Sequence, residues 1–275
     1  MSNSIPKGSL IILWILVLTL VTCSTPHNTY PVDTPLDIPG KLIWQDEFEG
    51  PVGQSPDSAR WVYDIGTHWG NNQLEWDNDR PENVSLDGLG NLAITAREEL
   101  FEGQNYTSAR IKTKGLFEKT YGRFEARIKL PTGQGMWPAF WLLGGNFGEV
   151  RWPDCGEIDI MEYLGQEPST FHATIHGPGY SGKKGVSKRY DLQAGRFDTE
   201  FHVFTLEWRE NSLRWYLDNR LIQTVKPQDV RGKWAFDHPF FIILNLAVGG
   251  NWVGSPDETT IFPQTMLVDY VRVYE

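Results

Sequence analysis

The alternation between residues 121 and 130 limits what this chain can fold into more than any other stretch. Phe124, Ala126, Ile128 and Leu130 share one parity, and Arg123, Glu125, Arg127 and Lys129 share the other. A period of two predicts a β-strand with one face on a core and one toward water, the habit of antiparallel sheets. Residues 201–208, 213–217 and 221–225 read as a meander turned at Glu210-Asn211 and Asp218-Asn219, residue pairs that suit tight turns. Residues 240–248 are nearly all apolar and predict a central strand covered on both faces. A last strand over 267–274 closes the chain. No convincing amphipathic helix follows Gly40, and no repeat or inner linker interrupts the region. The expected fold is therefore all-β, a single two-sheet antiparallel sandwich over residues 41–275.

The formal charge of −10 argues against binding nucleic acid through its phosphates and disfavours polyanionic substrates. Aromatic residues are abundant, with 12 Trp, 10 Tyr and 14 Phe. Most should fill the core. Trp69, Trp137 and Trp252 sit in turn-rich segments and are expected in loops, where indoles stack on sugar faces.

Residues 1–26 are expected to be a leader rather than part of the fold. Lys7 precedes an apolar run from Leu10 to Val21, too short to span a membrane and suited to a secretory signal. Leu20-Val21-Thr22-Cys23 resembles a bacterial lipoprotein box, which would put a lipid on Cys23. Thr22 departs from the usual small residue there, so plain cleavage stands beside it. Both readings place the mature protein outside the cytoplasm, secreted or held at the cell envelope, with the membrane reached only through that lipid. Residues 27–40, with Pro31, Pro35 and Pro39, read as a linker. Cys155 is then alone and offers no disulfide.

The chemistry is concentrated in Glu157-Ile158-Asp159-Ile160-Met161-Glu162. On a strand Glu157 and Asp159 point the same way, and Glu162 points the other way unless a bulge near Ile160 or Met161 brings it back. Three acids on one face could not all stay ionised cheaply, which suggests function. Retaining glycoside hydrolysis needs a nucleophile and an acid about 5 Å apart, and these residues can supply them: Glu157 to attack, Glu162 to give and take the proton, Asp159 to tune both. The bland alternative is a solvated row of strand acids. The aromatic run Met136-Trp137-Pro138-Ala139-Phe140-Trp141 favours a sugar cleft.

The chain resembles glycoside hydrolase family 16, and within it the laminarinase-like endo-β-1,3-glucanases. The likeness rests on Trp69-Gly70-Asn71-Asn72, Arg80-Pro81-Glu82-Asn83-Val84, Tyr121-Gly122-Arg123-Phe124-Glu125, Trp137 to Gly144, Gly156 to Glu162, His172-Ala173-Thr174-Ile175-His176-Gly177 and Asn245 to Trp252. The resemblance implies a concanavalin A-like β-jelly-roll of two curved sheets with an open concave cleft. It also implies retaining endo-hydrolysis of β-1,3-glucan, with mixed-linkage β-1,3-1,4-glucan a further substrate, by a monomer. It assigns Glu157 as nucleophile, Asp159 as helper and Glu162 as acid/base. Met161, the extra residue of the bulged form, is shared with agarases and carrageenases. An agarase- or carrageenase-like specificity and a non-catalytic glucan-binding lectin are therefore the alternatives.

By the same resemblance Trp137 and Trp141 line the cleft beside the cut bond, His176 lies near Glu162, and Asn71, Asn245 and Trp252 are subsite candidates. His172 and His176 supply two ligands, too few for zinc. Alternation puts Asp269 in an apolar row with Leu267, Val271 and Val273, where a carboxylate needs compensation. Family members often carry calcium on the convex face, which here would use Asp269 and main-chain carbonyls near Glu47 and Gly90, a hard-oxygen set. No cofactor is expected to take part in catalysis.

Overall fold

The computed structural model describes residues 1–2 and 40–275. The leader over 1–26 and the linker over 27–40, Cys23 included, lie outside the described residues but for positions 1, 2 and 40. In chain order the strands begin β1 (Leu42–Asp46), β2 (Val62–Asp64), β3 (Glu75–Asp77), β4 (Val84–Leu86), β5 (Leu92–Phe101) and β6 (Gln104–Ser108). They continue β7 (Arg110–Lys112), β8 (Gly122–Lys129), β9 (Met136–Gly144), β10 (Glu157–Tyr163), β11 (Thr170–His176) and β12 (Val186–Asp191). The last are β13 (His202–Arg209), β14 (Ser212–Leu217), β15 (Arg220–Val225), β16 (Phe240–Val248) and β17 (Gln264–Tyr274). Among the described residues the helical elements are two 3₁₀ turns, Gly182–Lys184 and Pro227–Asp229.

The strands form the expected two layers. One sheet runs β15-β14-β13-β8-β17-β5-β6-β3, with β1 on β17 and β4 on β5; the other runs β12-β11-β10-β9-β16-β7-β2. Pairing is antiparallel except between β3 and β6. The core lies between the layers. Phe124, Ala126 and Ile128 meet it from β8, as the alternation requires, with Phe204, Leu206 and Trp208 from β13 and Trp215 from β14. The meander turns are as expected: Asp218 and Asn219 both have positive φ (48° and 66°), which a two-residue primed turn demands of both central positions. β16 is buried along its whole length.

Three expectations change. The polar face of β8 is less open than predicted: Arg123 and Glu125 are each 8 % exposed, because they hydrogen-bond one another and Tyr270 Oη donates to Glu125. Trp137 lies within β9 rather than in a loop, whereas Trp69 and Trp252 are exposed in loops. Finally, Asp269 is not in the apolar row. Met266 and Val268, not Leu267, share burial with Val271 and Val273, because the register of β17 against β8 shifts between Val268 and Tyr270. The bulge puts Asp269 at the edge of solvent, where it accepts from Arg127.

Candidate active site

Strand alternation builds the outer face of the second sheet. On β9, Pro138, Phe140 and Leu142 are buried, the last two in the main core, so Trp137, Ala139 and Trp141 turn outward. On β10, Ile158, Ile160, Met161 and Tyr163 all enter the core. Consecutive core residues at 160 and 161 require an extra residue, and the pairing shows it: Asp159 faces Trp141, but Met161 faces Phe140. Against β11, Asp159 faces Thr174 while Glu162 faces His172. This one-residue bulge returns Glu162 to the face of Glu157 and Asp159. Gly156, just before the strand, has φ +75°, and a Cβ there would come within 2.8 Å of the Phe240 ring and 2.9 Å of the Ala235 carbonyl oxygen. Only glycine fits that entry turn.

Rows across the sheet then follow from register. One runs Arg189, His172, Glu162, Ala139, Asn245, Arg110 and Asp64. The next contains Ser187, Thr174, Asp159, Trp141, Ile243 and Lys112. Trp141 Nε1 donates to Asn245 Oδ1 at 2.8 Å, fixing the indole along the sheet. Trp137 Nε1 donates to Glu162 Oε1 at 3.3 Å. Trp252 packs edge-on against Trp137 and His172, with centroids 5.4 and 4.9 Å apart. Asn71 holds the rim through its backbone, its carbonyl accepting from Asn251 N at 2.7 Å.

His176 is placed differently from the expectation. It sits opposite Glu157 rather than near Glu162, with Nε2 3.4 Å from Asp159 Oδ2 and 3.7 Å from Glu157 Oε1. Burial pushes its pKa down to about 4, so the ring is neutral near pH 7 and can meet the carboxyls as a hydrogen-bond donor. The residue facing Glu162 is His172.

Two site residues escaped the sequence reading. Trp152 Nε1 donates to Glu157 Oε2 at 3.0 Å, and its ring lies against His176. Arg110 lies over the Trp141 and Trp69 rings, 4.9 and 5.4 Å from their centroids, with Asp64 at 2.9 Å. Trp152 could have been suspected from its place five residues before Glu157. Arg110 had no motif of its own; only register brings it to Asn245 and Trp141.

Burial raises all three acids. Glu157 is pushed up to about 8, first by desolvation and then by the charge of Glu162, while the Trp152 N–H and Arg110 pull it down. Glu162 is pushed up to about 7 by desolvation, against hydrogen bonds from Trp137 and Thr174. Asp159 is raised strongly, by burial and by both glutamates. The two glutamates repel one another and titrate as a pair, so their other partners bias which one holds the proton. Once Glu162 holds a proton its push on Glu157 disappears, and the Trp152 N–H and the Arg110 charge then favour carboxylate at Glu157. Cys155 is fully buried, and burial lifts its thiol to about 11, so it is no nucleophile.

Glu157, Asp159 and His176 place one donor atom each within 4.8 Å of one another, and these are the groups the cleft already uses. The positions expected to hold calcium are elsewhere. β1 ends with Asp46 opposite Val271, and β5 begins with Leu92 opposite Val268, so Glu47 and Gly90 flank the Asp269 bulge. The Glu47 carboxylate is taken by Arg272, at 2.8 Å to each oxygen, which leaves its main-chain carbonyl. The Asp269 carboxylate meets Arg127 through Oδ2. One carboxylate oxygen and backbone carbonyls are the donor types a hard cation takes.

A jelly-roll sandwich whose open face carries clustered, partly buried carboxyls between tryptophans is the architecture of a polysaccharide-cleaving glycosidase. Residues 64–272 match the model of the family described as glycosyl hydrolases family 16. The chain is 42 % identical to the beta-glucanase of Rhodothermus marinus over 245 residues, 85 % of each protein. In solved structures it is similar to the endo-beta-1,3-glucanase of Pyrococcus furiosus, with TM-score 0.81 and 47 % identity over 86 % of this chain and 94 % of that one. The laminarinase catalytic domain of Thermotoga maritima gives TM-score 0.80 and 46 % identity over 86 % and 98 %. The chain belongs to glycosyl hydrolase family 16.

Proposed function

We propose that this enzyme hydrolyses internal linkages of β-1,3-glucan, and of mixed-linkage β-1,3-1,4-glucan, with retention of anomeric configuration. The observation that carries the mechanism is the bulge at Ile160, which turns Glu157 and Glu162 to one face with Asp159 between them. Glu157 attacks the anomeric carbon while Glu162 protonates the departing glycosidic oxygen, giving a glycosyl ester on Glu157 and a free saccharide. Glu162 then takes a proton from water, the water oxygen attacks the same carbon, and Glu157 leaves as carboxylate. Two inversions return the β-anomer. Asp159, between the two, is placed to hydrogen-bond the nucleophile and to keep the proton on Glu162, and His176 and Trp152 orient the nucleophile from two sides. Trp137 and Trp252 supply apolar surface beside Glu162 and Trp141 does so beyond Asp159, where Asn245 and Arg110 add polar groups. Asn71 lines the rim.

Time-resolved NMR of laminarin digestion tests the stereochemistry: oligosaccharides appearing first as the β-anomer are expected, and early α-anomer overturns retention. A parallel assay on laminarin, lichenan, agarose and κ-carrageenan tests the substrate. Turnover is expected on the first two, and preference for either of the last two replaces the glucanase reading.

The same reading includes a structural calcium held by the Asp269 carboxylate and the main-chain carbonyls of Glu47 and Gly90. The ion would tie β1, β5 and β17 together and take no part in the reaction. Since a metal bound only by the folded form adds stability, chelation should lower Tm, and Asp269→Ala should abolish that sensitivity. A Tm indifferent to chelator, with no metal by elemental analysis, removes the ion. Export from the cytoplasm, clipping or lipidation at Cys23 and a monomeric state complete the proposal, on the strength of the N-terminal sequence and the family resemblance.

A further inference from the structure

A cavity of about 470 Å³ opens where β8 begins and β13 ends, lined among others by Lys119, Tyr121, Arg123, Glu207, Glu210 and Glu275. It is not part of the catalytic cleft. Phe124, Leu206 and Trp208 point into the core, so Arg123 and Glu207 stand on the outer face of the first sheet, on the other side of the sandwich from Glu157. The size is that of a small-ligand site.

Three features point to a ligand. First, Arg123 is 8 % exposed, yet its Nη1 has no hydrogen-bond partner; Nε and Nη2 are used by Glu125 at 3.0 and 2.6 Å. A buried donor of a charged group left unmade is costly. Second, Tyr121 holds a left-handed backbone, φ 62°, which a bulky side chain rarely adopts and which gathers at functional sites. The next residue, Gly122, has φ 124°, and a Cβ there would come 2.6 Å from the Tyr274 carbonyl oxygen, so only glycine fits beside it. The Tyr121 ring is braced edge-on against buried Trp208, centroids 5.5 Å apart. Third, the charges around the cavity compensate one another. The lining carries three cations, Lys119, Arg123 and Arg209, and three carboxylates, Glu207, Glu210 and Glu275; Lys119 reaches Glu275 at 3.4 Å and Arg123 pairs with Glu125.

An ion of either sign finds no surplus charge in such a lining. A neutral polyhydroxylated molecule finds what it needs: an aromatic ring for its C–H face, a guanidinium N–H to donate and carboxylates to accept. We propose that this cavity is a second, non-catalytic saccharide site that holds one or two glucosyl units of the polymer on the face opposite the cleft. The choice of glucosyl rests on the glucanase reading; the neutral-sugar chemistry rests on the cavity itself.

Calorimetric titration of the full chain carrying Glu157→Gln with laminaritetraose tests it. Two classes of site are expected, and adding Tyr121→Asn, a residue that tolerates left-handed backbone, should leave one. Should that variant fail to fold, Thr120→Trp, which fills the cavity from its lining, should give the same loss. A single class of site in the Glu157→Gln protein overturns the proposal, as do two classes that survive both substitutions. If wild-type protein leaves laminarin intact while a Tyr121-dependent site persists, the glucanase reading fails and the second site stands.

Discussion

Glu157→Ala should abolish laminarin hydrolysis, lowering kcat by roughly 10⁴- to 10⁶-fold, the scale on which removal of a nucleophile acts. The fold should survive, because the side chain lies on the cleft face and its partners are the exposed Trp152 and the half-buried His176. Affinity for oligosaccharide should persist, since the indoles of Trp137 and Trp141 are untouched. Azide distinguishes nucleophile from bystander. In the space left by the carboxylate it can attack an activated glycoside from the opposite face and give the α-glycosyl azide. Restored turnover with that product is the expected result. A variant that keeps more than a hundredth of wild-type activity would move the nucleophile to another residue.

Glu162→Ala should act differently. Loss of a general acid and base costs about 10²- to 10⁴-fold, most severely on glucan, whose leaving hydroxyl needs a proton, and least on aryl glycosides with acidic leaving groups. Azide here should yield the β-product, because the ester on Glu157 still forms. The pH profile supplies a second readout. Burial raises the Glu162 carboxyl to about 7, so its acid form is present below that pH and lost above it. Wild-type kcat/KM should therefore fall as pH rises through about 7, and Glu162→Gln should lose that alkaline limb. An unchanged limb in the Gln variant would assign it to another group.

Much of this could be read from the chain, and the failures share one cause. β8, the meander turns and the buried run of β16 depend on local period and turn chemistry, so they appeared where expected. The acid motif required a bulge to make sense, and the bulge is there. Its exact place at Ile160 depends on which residues of β9 and β11 are opposite, which a single strand does not encode. The same holds for Asp269. Strict alternation put it among apolar residues, and a register shift against β8 moved it out to Arg127. His176 was assigned to the wrong glutamate because sequence proximity says nothing of cross-strand register. Trp152 and Arg110 reach the site from a loop and from a three-residue strand, elements whose position is fixed only by the finished sheet.

The extra residue in β10 follows Asp159, and the far layer meets the carbonyl at that point: Trp215 Nε1 on β14 donates to Asp159 O at 2.9 Å, in the buried interior. The spacing of the reactive groups is thus keyed to a strand that never sees the sugar. Heat or mutation that loosens the seating of the Trp215 indole would let the pleat relax toward a regular ladder, swinging Glu162 out of alignment while both sheets remain intact. In this enzyme loss of catalytic competence should precede melting, with a thermal ceiling expected at the back of the molecule rather than in the groove.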